Sequence, residues 1–97
     1  MQNNCFDFDL IPDLATFYRD FATQFTLEQG FGANLDALWD VVTADIPLPV
    51  NIVFIHLNPQ RRQQFAAIIA LFEQAEQELA GRLRFQITDR LPQSPAC

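Results

Sequence analysis

The chain has 97 residues, 49% of them hydrophobic, and twelve acidic against six basic side chains give it a formal net charge of −6. That size and balance describe one self-supporting domain and exclude a second core, a disordered chain or a metal-dependent miniature fold. No apolar run approaches the ~18 residues of a membrane span.

The N-terminus, Met1-Gln2-Asn3-Asn4-Cys5, has neither the basic start nor the apolar stretch of a secretory signal, so a cytoplasmic location is expected. Cys5 and Cys97 lie near opposite ends without metal-ligand spacing, and in that compartment they read as free thiols, with a disulfide between the termini as the alternative. The charge is unevenly spread. Residues 1–45 hold eight acids against Arg19 alone, a net of −7, whereas residues 46–97 hold four acids against five arginines, a net of +1. Every basic residue is Arg. Nucleic-acid binding needs clustered positive charge, so direct DNA or RNA binding is not expected and a basic protein partner is favoured.

In chain order, Cys5 to Leu10 alternates, with Phe6, Phe8 and Leu10 opposed to Cys5, Asp7 and Asp9, the pattern of a strand buried on one face. Asp13 then caps a helix whose apolar stripe is Leu14, Phe17, Tyr18, Phe21 and Phe25. A loop from Thr26 to Ala33, with Gly30 and Gly32, leads to a short acidic helix capped by Asn34 and ended near Asp45 by Pro47 and Pro49. Val50 to Leu57 is apolar on both faces and reads as a central strand. Asn58 and Pro59 start one long helix that Gly81 ends, with Phe65, Ile68, Ile69, Phe72 and Leu79 on its buried side. Leu83 to Thr88 alternates again as a third strand.

Strands separated by helices imply parallel pairing through crossover connections. One apolar-faced central strand between two half-polar ones gives a three-stranded parallel sheet in the order 1-2-3. Consecutive crossovers in one direction put the helices on one face, an α/β fold of two layers. One domain is expected over residues 1–89, with residues 90–97 as a flexible tail.

The acidic helix carries the sharpest signal. Leu35, Leu38, Trp39 and Val42 follow the spacing of a buried stripe, and Asp36 and Asp40 lie one turn apart on a neighbouring face beside Thr43. Like charges at this spacing cost an isolated helix about 0.2–0.5 kcal/mol. The spacing alone leaves open an indifferent solvated face or two carboxylates held in register for use.

The full segment, Phe31-Gly32-Ala33-Asn34-Leu35-Asp36-Ala37-Leu38-Trp39-Asp40 with Thr43, resembles the signature of the barstar family, intracellular inhibitors of secreted bacterial ribonucleases. The order of the other elements is also similar. The resemblance implies a barstar-like fold and a non-catalytic protein that occludes a basic ribonuclease's active site, monomeric before binding and without cofactor or metal. It implies that Asp40 takes the substrate-phosphate position among Arg and His side chains, with Asp36 as a second carboxylate. Phe31, Gly32, Asn34, Trp39 and Thr43 are the contacts it implies around that plug. Charge-assisted bonds from Arg to carboxylate are short and strong, and complementary charge speeds encounter, of which the barnase–barstar pair is itself the standard illustration. Three positions depart from the pattern. Gly30-Phe31-Gly32 replaces Tyr-Tyr-Gly, Asp45 stands where a Trp is usual, and Gln74, with Glu73 beside it, stands where the family has an interface glutamate. Asp45, Glu73 and Gln74 are therefore candidate rim positions.

Two other readings compete. The same helix suits an adaptor for a different basic protein. Asp7-x-Asp9 after a strand resembles the acid pair of Mg²⁺-dependent phosphatases, but that chemistry needs further carboxylates and a cation for phosphate. The edge of a strand explains Asp7 and Asp9 more simply. His56, the sole histidine, has no second His for a metal site and no identifiable nucleophile, and reads as a satisfied, partly buried side chain. Arg61-Arg62 makes only a weak basic patch.

Overall fold

Strand β1 runs from Gln2 to Asp7 in the computed structural model, which describes residues 2–27 and 34–88. It starts and ends earlier than the alternation suggests because Asp7 turns the chain. Its Oδ1 accepts the Asp9 N–H at 3.0 Å and its carbonyl accepts that of Leu10 at 3.0 Å, an Asx-type turn. Leu10, expected inside with Phe6 and Phe8, is consequently 74% exposed, and Ile11 takes the inward place.

β2 (Val50–Ile55) lies between β1 and β3 (Leu83–Thr88) and pairs in parallel with both, aligning Phe6, Phe54 and Ile87. The sheet order is 1-2-3, as expected. α1 (Leu14–Gln24) and α2 (Leu35–Asp40) connect the first two strands; α3 (Pro59–Gln64) and α4 (Ala66–Glu78) connect the last two. One core holds Phe6, Ile52, Phe54 and Leu83 of the sheet together with Phe17, Phe21, Leu38, Val42, Phe65 and Phe72, so the helices share one sheet face. The result is the two-layer α/β fold. On the other face Val53 and Ile55 are also buried, flanked in register by Cys5 and Asp7 on one side and Gln86 and Thr88 on the other.

Helix starts follow the side-chain chemistry. Asp13, Asn34 and Asn58 each accept an N–H three residues on, at 2.8 Å. The Thr16 hydrogen bonds hold the Asp13 carboxyl below its ordinary pKa. The expected single helix from Pro59 is broken at Phe65, whose φ and ψ are −104° and 18°. Arg61 Nη1 and Gln64 Nε2 both donate to the Pro12 carbonyl at 2.8 Å, tying α3 to the loop after β1. Phe65 meanwhile turns fully inward, 4.8 Å from Phe8. α3 is thus aimed by that loop and α4 by the core, and the chain bends between them.

Both outer sheet edges are partly satisfied from the helix layer. Gln24 Nε2 donates to the Cys5 carbonyl at 2.9 Å on β1, and Glu76 Oε2 accepts the Phe85 N–H at 3.0 Å on β3. Cys5 itself corrects the free-thiol expectation: it is disulfide-bonded, and no free thiol occurs among the described residues. That expectation rested on compartment, whereas pairing depends on reach. Cys5 is half-buried on an edge strand, in register with Val53 on the face away from the helices. The sequence's other cysteine, Cys97, and the expected tail lie outside the described residues. Among the described residues no helix is long and apolar enough to cross a membrane.

Phe17 touches the rings of Phe6, Phe54, Phe65 and Phe72. Phe17→Ala should lower stability by about 3–5 kcal/mol in urea unfolding. Gly81 has φ 89° and space for a Cβ with nothing within 4 Å, so Gly81→Ala should cost about 1 kcal/mol from backbone conformation alone, measured the same way.

The acidic helix as candidate functional site

Asn34 fixes the start of α2. Its Oδ1 takes the Ala37 N–H at 2.8 Å and its carbonyl takes that of Leu38 at 3.0 Å. Directly after Asp40 the helix widens into a π turn over Val41–Asp45, closed by Ile46 N–H to the Val41 carbonyl at 3.1 Å. The helical stretch ends where Pro47 was expected to end it, but its second half has a different pitch. The wider turn lets Val41, Val42 and Ile46 all go inside while Ala44 stays out.

Leu38 and Val42 are fully buried, as their spacing implies. Leu35 is not: at 41% exposed it leaves the expected stripe, because the anchoring contacts are taken over by Val41 and Ile46 in the π turn. Trp39 is half-buried and packs against the core. Asp36 and Asp40 are both exposed, and among the described residues neither meets a cation within salt-bridge distance. Thr43 Oγ1 donates to the Trp39 carbonyl at 2.8 Å, which leaves that hydroxyl's lone pairs for other donors.

Asn34, Asp36, Trp39, Asp40 and Thr43 therefore lie on one short, capped helical segment. Phe31 and Gly32, and the Gly30 departure beside them, fall outside the described residues. Asp45 closes the π turn. Glu73 and Gln74 are exposed on α4, the helix against which α2 packs. Beside α2 runs an open groove lined by Leu14, Ala15, Tyr18, Asn34, Leu35 and Asp36, with Leu14 44% exposed. Leu14 was expected on the buried stripe of α1; it is the first residue of that helix and borders this groove. Burial raises the Tyr18 pKa above its ordinary value.

A second polar cluster was not apparent in the linear order. His56 Nδ1 lies 2.7 Å from Asp7 Oδ1 and 3.2 Å from Asp9 Oδ2. Asp7 closes β1, as the strand-edge reading has it, whereas Asp9 lies in the turn beyond the strand; both meet His56, which is satisfied as expected. The signal was available: β1 and β2 run parallel, so Asp7 at the end of β1 and His56 just after β2 come to the same edge of the sheet.

The acids of α2 face outward, and among the described residues no basic side chain lies within salt-bridge distance of them. Arg61 and Arg62 turn to backbone carbonyls, at Pro12 and Leu57. A family model described as Barstar (barnase inhibitor) matches residues 1–89, a span that takes in all three strands and the acidic helix, and the chain belongs to that family.

Proposed function

We propose that this protein binds a basic ribonuclease and occludes its active site with the helical segment of residues 34–45, acting in the cytoplasm as a monomer until it meets the enzyme. The observation that carries this reading is the pair Asp36 and Asp40, exposed and without a cation in reach among the described residues, on a helix held by a side-chain cap and by Leu38, Val41 and Val42. Asp40 stands in for a substrate phosphate. Asp36, one turn earlier, supports it against the same cationic cleft. Preorganisation matters here, because a carboxylate already fixed on a rigid support loses little freedom on binding.

Asn34, Trp39 and Thr43, with Phe31 and Gly32 before the helix, surround the two acids. Asp45, Glu73 and Gln74 form the rim, where departures from the family pattern tune the choice of enzyme. Membership in a family described as barnase inhibitors supports the class of partner. The altered rim argues that the cognate ribonuclease differs from barnase.

Binding to a basic ribonuclease and inhibition of its RNA cleavage test the assignment. Removing one member of a desolvated ion pair costs about 3–5 kcal/mol, so Asp40→Ala should weaken inhibition by roughly a hundredfold or more. Asp36→Ala should weaken it less. Raising the salt concentration should narrow the gap between parent and variant in association rate. Equal inhibition by Asp40→Ala and the parent would show that the helix is not the plug.

A further inference from the structure

Where β1 and β2 end, three potential metal ligands meet. Register pairs Asp7 with Ile55, so His56 leaves β2 immediately beyond the point at which Asp7 closes β1. Asp9 returns towards them through the turn at Asp7. One donor atom from each of Asp7, Asp9 and His56 lies within 4.8 Å of the others. They gather at the carboxyl ends of adjacent parallel strands, the edge at which open α/β sheets hold their ligands. None of the three belongs to the acidic helix.

We propose that Asp7, Asp9 and His56 form a binding site for a divalent transition-metal ion of the Zn²⁺ type, using His56 Nδ1 and one oxygen from each carboxylate. Imidazole with two carboxylates suits Zn²⁺, whereas Mg²⁺ and Ca²⁺ require six or more oxygen ligands. Tetrahedral bonds of about 2.0–2.1 Å separate neighbouring donor atoms by about 3.3 Å. The Nδ1–Asp9 Oδ2 distance is already 3.2 Å, and the 2.7 Å to Asp7 Oδ1 opens to that value by a small rotation of a carboxylate. Two carboxylates balance the charge of the ion. The Asp9 side chain is 68% exposed, so water reaches the cluster and takes the fourth position.

Nδ1 shares a hydrogen bond with Asp7 Oδ1, and Asp9 Oδ2 lies 3.2 Å away. On binding, the Nδ1 lone pair and the two carboxylate oxygens bond to the ion, and any proton on Nδ1 leaves to solvent. No oxidation or group transfer is involved. The ion would join the ends of β1 and β2 and stabilise the native state by an amount that rises with the logarithm of free ion concentration above the Kd.

The test is calorimetric titration of Zn²⁺ into the chelator-stripped, disulfide-intact protein, paired with thermal unfolding with and without the ion. The expected result is one saturable equivalent and a raised Tm. Asp9→Asn should weaken binding by about tenfold or more. His56→Asn should abolish it while keeping the fold, because Asn accepts the positive φ of 61° found at His56. Zinc binding should persist in a variant with both cysteines replaced by Ser, and the His56 Nδ1 NMR resonance should shift on saturation. Absence of saturable binding at millimolar Zn²⁺ would overturn the assignment. So would undiminished binding by a folded His56→Asn protein.

Discussion

The ring of Phe17 lies 5.2 Å from Phe6, 5.8 Å from Phe54 and 6.5 Å from Phe72, so one side chain of α1 reaches β1, β2 and the helix that returns to β3. Edge-to-face and tilted contacts continue outward from it, from Phe54 to Phe85 on the last strand and from Phe8 to Phe65 at the bend after α3. Such rings bring large buried area and a defined geometry. In a chain of 97 residues there is room for one such core, and every other element takes its position from it.

The acidic helix is an example of that dependence. Six residues of α-helix have little stability by themselves. α2 persists because Asn34 caps one end and Leu38, Val41, Val42 and Ile46 bury the other side in the phenylalanine core. The π turn is part of this arrangement: an extra residue in the turn brings both valines inward without rotating Asp36 and Asp40 out of solvent. The electrostatic cost of two like charges is met by packing on the opposite face. A surface assembled in this way carries its charge before any partner arrives.

Parallel pairing has a second consequence. It brings the ends of β1 and β2 side by side although Asp7 and His56 are far apart in the chain, and it leaves two outer edges to be satisfied. Gln24 and Glu76, both helical, supply those contacts at β1 and β3. The helix layer therefore contributes polar closure to the sheet as well as apolar cover.

The three strands, the helix caps and the outward-facing acid pair were legible in the sequence because each depends on local spacing: period two around Phe6 and Phe85, a short polar side chain three residues before a free N–H, carboxylates one turn apart. Local pattern misassigned Leu10, Leu14 and Leu35, whose hydrophobicity fits a stripe but whose positions lie past a turn or at a helix end. It joined α3 to α4 because nothing near Phe65 in the chain announces the pull of Pro12 on Arg61 and Gln64. The sequence by itself determined which segments form which elements and that one short helix carries exposed charge. Only the tertiary structure decided that the helix continues as a π turn, that Cys5 is paired and that His56 meets Asp7 and Asp9, because these depend on contacts between residues whose separation in the chain carries no periodic signal.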